Sequence, residues 1–100
     1  MQGRLVKYLY LPEIPRLNSP AEKKNLVVVE WVKSEGDYFT KMEPVVYVRA
    51  VIGVVEVKAP ESGTIHKILA RRGSRVRVGQ PLATFLPPGK GVIRRLIEGM

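Results

Sequence analysis

Two segments of the sequence resemble each other when the chain is shifted along itself by 37 residues. The aligned pairs share glycine, proline or apolar character: Trp31 with Ile68, Val32 with Leu69, Gly36 with Gly73, Pro44 with Pro81, Val45 with Leu82, and Val48 with Phe85. Each segment has the pattern of an apolar strand, a charged turn with glycine, a short strand, a proline and a second apolar strand. This match predicts two similar β units related by an internal pseudo-twofold axis.

The join between the two segments, residues 48–63, has the pattern of a β-hairpin. Valine and isoleucine dominate both arms, and β-branched side chains pack well on a pleated strand. The arms meet at a tight tip near residues 51–53. Pro60 and Gly63 then end the second arm, because both residue types interrupt strand pairing.

The remaining patterns predict an all-β domain of about eight short strands. Predicted strands cover residues 5–11, 26–32, 38–40, 45–50, 53–58, 65–70 and 81–86, and the alternation over residues 75–78 is typical of another. Three prolines between residues 12 and 20 predict a loop that continues to residue 25. We therefore predict a β domain over residues 1–86, with the loop 12–25 inside it.

A Pro/Gly linker and a short amphipathic tail make up the second predicted part of the chain, residues 87–100. Apolar residues at positions 92, 93, 96 and 97 lie at the spacing of a helix face. The sequence therefore predicts a short C-terminal helix, which is too short to be stable unless it docks on something.

The chain has no cysteine and one histidine, so we expect neither disulfides nor a structural zinc site. No apolar run approaches the roughly 20 residues that span a bilayer. The first residues lack the apolar core of a secretion signal, and we expect a cytoplasmic protein without a membrane partner. Few amide side chains and many arginines give a weak thermophile-like signature.

The net charge of +8 is densest in a basic stretch, formed by Arg71, Arg72, Arg75 and Arg77. One interpretation is an electrostatic footprint for nucleic acid or an acidic protein. The other is a solvated turn and edge strand, where charged side chains oppose edge-to-edge pairing. No aromatic residue lies within the stretch, and single-stranded nucleic-acid readers usually place aromatics on their basic face.

Three motifs resemble those of the lipoyl/biotinyl carrier-domain family. They are VEWVKSEGD at residues 29–37, APESG at 59–63 and GQPLA at 79–83, and they occur in the family's order and spacing. The resemblance covers about residues 5–85. It implies a flattened barrel-sandwich of two four-stranded sheets related by a pseudo-twofold axis. It also implies a hairpin tip between the halves, where the family carries its cofactor on a lysine.

This sequence departs from the family pattern at the tip. Counting back from Pro60, the resemblance places the modified lysine at position 52, which is Ile52 here. No lysine occurs between Lys41 and Lys58. Amide formation with lipoate or biotin needs a primary amine, so we expect no covalent cofactor. Modification of an unexpected lysine is the alternative.

The tip is also the first candidate for an interaction surface, through Val51, Ile52, Gly53 and Val54. In lipoyl-like domains the loop after the first strand lies beside the tip and helps to select partners. That likeness adds the loop residues Pro15, Leu17, Lys23 and Lys24. The contrasting interpretation is a tip that folds down with Gly53 in a bulge, leaving only Ile52 partly exposed.

These patterns favour a binding function over catalysis. His66 has no nucleophile near it in sequence, and no paired carboxylates or phosphate-binding loop is present. We therefore expect no catalytic residues and no metal. The first hypothesis is a scaffold module that binds a protein partner or itself, within a 2-oxo acid dehydrogenase or carboxylase type of assembly. The alternatives are a nucleic-acid-binding protein and a carrier domain.

Overall fold

The computed structural model describes residues 5–88, which form two four-stranded antiparallel sheets and almost no helix. The strands are β1 (Lys7–Tyr10), β2 (Leu26–Trp31), β3 (Tyr38–Phe39), β4 (Pro44–Ala50), β5 (Gly53–Lys58), β6 (Gly63–Ile68), β7 (Arg75–Val76) and β8 (Pro81–Leu86). A single turn of helix, α1 (Pro20–Lys23), lies between β1 and β2. No helix within residues 5–88 is long and apolar enough to cross a membrane.

The order of strands confirms the predicted internal symmetry. The first sheet has the order β1-β8-β6-β3, and the second has the order β5-β4-β2-β7. Exchanging each strand with the one four places along the chain converts either sheet into the other. The all-β barrel-sandwich with a pseudo-twofold is therefore confirmed. The predicted C-terminal helix and nearly all of the predicted tail, residues 89–100, lie outside the described residues.

The same offset of 37 residues holds for individual backbone hydrogen bonds. The Gly36 N–H donates to the Ile65 carbonyl at 2.8 Å, and the Gly73 N–H donates to the Val28 carbonyl at 2.8 Å. Gly36 and Gly73 have positive φ of 93° and 88°, a conformation that glycine adopts without a steric penalty. The repeated glycines of the sequence are thus explained by one turn geometry used twice.

The symmetry is broken between the first and second strands of each half. The Leu11 N–H donates to the Gln80 carbonyl, as the Ala59 N–H does to the Glu43 carbonyl, so residues 11 and 59 are structural counterparts. Fifteen residues then lead from β1 to β2, but only four lead from β5 to β6. The first half therefore carries eleven additional residues, within the predicted loop 12–25.

The core compensates for unequal residues at one pair of symmetric positions. In the second sheet Leu26 is buried beside Val76 on the neighbouring strand. Its counterpart in the first sheet is Gly63, which pairs with Phe39. A Cβ atom on Gly63 would lie 2.7 Å from the Phe85 ring and 2.8 Å from the Leu86 carbonyl oxygen. Two phenylalanines thus fill the volume beside Gly63 in the first sheet. In the second sheet, the corresponding volume is filled by a leucine and by valines.

We expect Gly63→Ala to lower the free energy of unfolding by about 1–3 kcal/mol, because the added methyl group overlaps packed atoms. Chemical denaturation measures the change. The double variant with Phe85→Val, which copies the symmetric Val48, should lose less than the sum of the two single variants. Strict additivity would contradict this account of the packing.

A second repeated turn is closed by the carboxylate of Glu43 in one half and by the amide of Gln80 in the other. The Thr40 N–H donates to Glu43 Oε1 at 2.9 Å, and the Arg77 N–H donates to Gln80 Oε1 at 3.1 Å. Glu43 also pairs with the Lys33 ammonium at 2.9 Å. The hydrogen bond from Lys33, followed by that from the Thr40 N–H, lowers the pKa of Glu43 below its ordinary value.

Glu43 should therefore make part of the stability dependent on pH. A carboxyl whose pKa is lowered by folding stabilises the protein above its unfolded pKa of about 4.5, and this contribution is lost as the pH falls through the folded value. We expect Glu43→Gln to be less stable than the parent near pH 7, and we expect this deficit to become smaller when the pH is lowered to 3. Urea denaturation at both pH values measures the difference, and Glu30→Gln on β2 is the control. A difference that persists unchanged in acid would contradict the prediction.

Candidate functional site

The hairpin tip presents apolar side chains to solvent. Ala50 pairs with Gly53 across a turn made by Val51 and Ile52, and Gly53 has a φ of 124°. The exposed fractions are 69% for Val51, 40% for Ile52 and 56% for Val54. The tip therefore does not fold down to leave only Ile52 accessible. Three neighbouring β-branched side chains instead form an apolar cap on this end of the second sheet.

The additional loop of the first half is fixed by its own apolar residues. Ile14 and Leu17 are buried in the core, with Leu17 only 3% exposed, while Pro15 is exposed. The prediction that Leu17 contributes to a contact surface is therefore wrong in this conformation, because its side chain anchors the loop on the barrel. Pro15 remains accessible.

The helical turn α1, which the sequence prediction treated as loop, is capped at its start. Ser19 Oγ accepts from the Glu22 N–H at 3.2 Å, and Glu22 Oε1 accepts from the Asn18 N–H at 2.8 Å. The sequence Ser-Pro-Ala-Glu contains the signals for this turn, namely an N-cap serine, proline at the first helical position and glutamate three residues after the cap. Recognition of this capping pattern would have predicted α1.

α1 lies beside the tip and forms a groove with it, which we call the tip groove. Its volume is about 350 Å³, and it is lined by Ala21, Glu22, Asn25, Val27, Arg49, Ala50 and Val51. The loop and the tip, which the family likeness led us to expect side by side, line one groove. Of the candidate residues, Val51 lines this groove directly.

A second groove brings residues of the loop and the basic stretch together. It has a volume of about 580 Å³ and is lined by Glu13, Asn18, Pro20, Lys23, Lys24, Arg77 and Val78. The Val78 N–H donates to the Lys23 carbonyl at 2.9 Å, which fixes the turn after β7 against α1. Lys23 is paired with Glu13 at 3.4 Å.

The arginines of the basic stretch are all exposed, but they do not share one groove. Arg75 lies on the edge strand β7, and Arg77 lies in the groove beside Lys23 and Lys24. Arg71 and Arg72 line a different groove with Trp31, Glu35 and Ile68. Within residues 5–88, none of the four arginines forms an ion pair with a carboxylate.

Groups that could hold a metal are not clustered in the part of the chain that the structure describes. His66 Nδ1 lies 3.2 Å from the hydroxyl of Thr84, which is nearly buried.

The two lysines that flank the hairpin in sequence are distant from its tip. Lys58 is at the far end of β5, about 20 Å from Ile52 at the usual rise per residue.

The family of biotin- and lipoyl-bearing domains, described as "Biotin-requiring enzyme", matches residues 15–85. The chain belongs to the biotin/lipoyl domain family. This assignment confirms the resemblance inferred from the three sequence motifs, and it accounts for the two symmetric halves of the chain joined by a central hairpin.

Two known proteins show what this chain is similar to. The dihydrolipoyllysine-residue succinyltransferase component of the 2-oxoglutarate dehydrogenase complex of Staphylococcus saprophyticus is 38% identical over 56 residues, or 56% of this chain and 13% of that protein. A solved structure of a single-chain, multi-domain long-chain acyl-CoA carboxylase matches with a TM-score of 0.64 and 20% identity. That match covers 93% of this chain and 8% of the carboxylase, and it shows the shared fold.

The capping of α1 in this biotin/lipoyl domain gives a local prediction. We expect Ser19→Ala to lower the free energy of unfolding by about 1 kcal/mol, because the Glu22 N–H loses its partner. Hydrogen exchange should accelerate in α1 while β2 and β4 remain protected. Ser34→Ala makes the same chemical change in a turn where the hydroxyl caps no helix, and should cost less. Equal losses in both variants would contradict a role for the cap.

Proposed function

We propose that this biotin/lipoyl domain lacks the attachment lysine and acts as a non-catalytic protein-interaction module. The observation that carries the proposal is the chemistry of the tip, where the turn consists of Val51 and Ile52. Neither side chain has a nucleophilic atom. A ligase that recognises the hairpin tip would find no amine with which to form an amide.

The exposed apolar surface at the tip supports a contact role. Val51, Ile52 and Val54 would lose unfavourable contact with water on burial against a partner. The tip groove adjoins them and adds polar groups from Glu22, Asn25 and Arg49. An apolar centre with a polar rim is the usual composition of a protein–protein contact.

The names of the relatives suggest the kind of assembly. One is a component of the 2-oxoglutarate dehydrogenase complex, and another is a multi-domain acyl-CoA carboxylase. We place this domain in an assembly of the 2-oxo acid dehydrogenase or carboxylase type, where it contacts a protein partner. Nucleic acid is the less favoured partner, because the arginines of the basic stretch do not line one groove: Arg77 lies in one groove, and Arg71 and Arg72 lie in another.

The absence of attachment is tested by intact-mass measurement after incubation with a lipoate ligase and, separately, a biotin ligase. We expect the unmodified mass in both cases, while an authentic lipoyl or biotinyl domain in the same reactions gains its group. An added lipoyl or biotinyl mass on any lysine would overturn the proposal, and peptide mapping would locate the site.

The contact role is tested with Ile52→Asp in a pull-down from the native cell extract, with sedimentation analysis of self-association alongside. We expect the captured proteins, or the self-association, to be reduced about tenfold or more, since a buried unpaired carboxylate opposes an apolar contact. Tyr38→Asp, on an exposed position of the first sheet, is the matched control. Equal capture by both variants and the parent would contradict a contact through the tip.

A further inference from the structure

A second apolar surface lies where the two halves meet at the ends of β2 and β6. Trp31 and Ile68, which are symmetric counterparts, are both half-buried and line the same groove of about 300 Å³. The next residues in each half, Val32 and Leu69, are 45% and 52% exposed. We use the name axial groove for this groove together with these four residues. It is built from different residues than the tip groove.

Positive charge borders this apolar surface on one side. Arg71 and Arg72 line the groove, and they follow Leu69 by two and three residues. Their symmetric counterparts are Ser34 and Glu35, so the charge belongs to only one half of the barrel. Glu35 Oε2 accepts from the Ile68 N–H at 2.9 Å, which commits that carboxylate to the backbone. The arginines have no carboxylate partner among residues 5–88.

We propose that the axial groove binds an acidic protein segment, one that places an apolar side chain against Trp31, Ile68 and Leu69 and carboxylates against Arg71 and Arg72. Arginine pairs well with carboxylates because its planar guanidinium can donate two parallel hydrogen bonds. With a volume of about 300 Å³, the groove has room for one or two aliphatic side chains.

The chemistry of the groove disfavours nucleic acid as the occupant. The Trp31 indole N–H donates to the Ala70 carbonyl at 2.8 Å, which holds the ring in place half-buried. The other apolar residues are aliphatic and offer no ring for base stacking.

The same charges disfavour occupation by another part of this protein. A second copy would bring its own net charge of +8 toward this one. The amphipathic stretch of residues 92–97 carries Arg94 and Arg95 beside its apolar residues, which would oppose Arg71 and Arg72. An acidic partner has the complementary charge.

Trp31 is the single tryptophan of the chain and lies in the proposed site, so its fluorescence reports binding directly. The probe is a capped synthetic peptide of sequence DEELLDE, titrated into the full chain at low salt. We expect a saturable change in Trp31 emission, with an affinity that falls as salt is added. The peptide DEESSDE, which lacks the leucines, and KKKLLKK, which inverts the charge, should each bind about tenfold more weakly or not at all.

Charge-reversal variants locate the site. The double variant Arg71→Glu with Arg72→Glu should weaken DEELLDE binding by about tenfold or more, because the two side chains that attract the peptide's carboxylates are replaced by side chains that repel them. Arg75→Glu with Arg77→Glu makes the same change in net charge outside the groove and should have a much smaller effect. Leu69→Ser should weaken binding without altering the charge. Thermal unfolding of each variant checks that the fold is retained, and all of these positions are exposed.

Four outcomes would overturn the proposal. The first is an equal loss of DEELLDE binding in the two double variants, and the second is the absence of a Trp31 fluorescence response to any of the peptides. The third is binding of an oligodeoxycytidine without binding of DEELLDE, which would assign the groove to nucleic acid. The fourth is a concentration-dependent dimer that Leu69→Ser dissociates, which would assign the groove to a second copy of the chain. Because the tip variant Ile52→Asp leaves this groove intact, DEELLDE binding by that variant separates the axial groove from the proposed function of the tip.

Discussion

The two halves of the barrel are held together by a reciprocal exchange of backbone hydrogen bonds. In each half, a turn after the second strand directs its amide and carbonyl groups to a strand of the other half. Gly36 and Asp37 bond to Ile65, and Gly73 and Ser74 bond to Val28. Each sheet consequently contains two strands from each half, so neither half can complete a sheet alone. The axial groove follows from this interlocking, because its lining residues come from both halves.

Function in such a symmetric fold is expected where the symmetry is broken. The eleven additional residues of the first half supply α1 and the wall of the tip groove, for which the second half has no equivalent. The arginines beside Ile68 have Ser34 and Glu35 as counterparts in the other half, so one side of the axial groove is positive. The barrel thus supplies a rigid scaffold, and the differences between its halves make two chemically distinct surfaces.

The strands were predictable because their signals are local or repeat along the chain. The offset of 37 residues matches β2 to β6 and β3 to β7 residue for residue. The glycines and prolines between the strands predicted the positions of the turns. Leu17 was misassigned because an apolar residue in a proline-rich loop carries no periodicity that indicates whether it is buried. The axial groove was not predicted at all. Trp31 and Arg71 are forty residues apart in sequence, and only the pairing of the two halves brings them together.

The pairing of β1 with β8 copies the pairing of β4 with β5, except that no turn joins the former two strands. By the same correspondence Pro88 is equivalent to Val51 and Leu5 to Gly53, so the described ends of the chain occupy the place of a hairpin turn. A circularly permuted chain, linked from residue 88 to residue 5 and opened at the tip, would preserve every strand pairing. The strand pairings of the barrel therefore do not depend on which of these two corners is covalently closed.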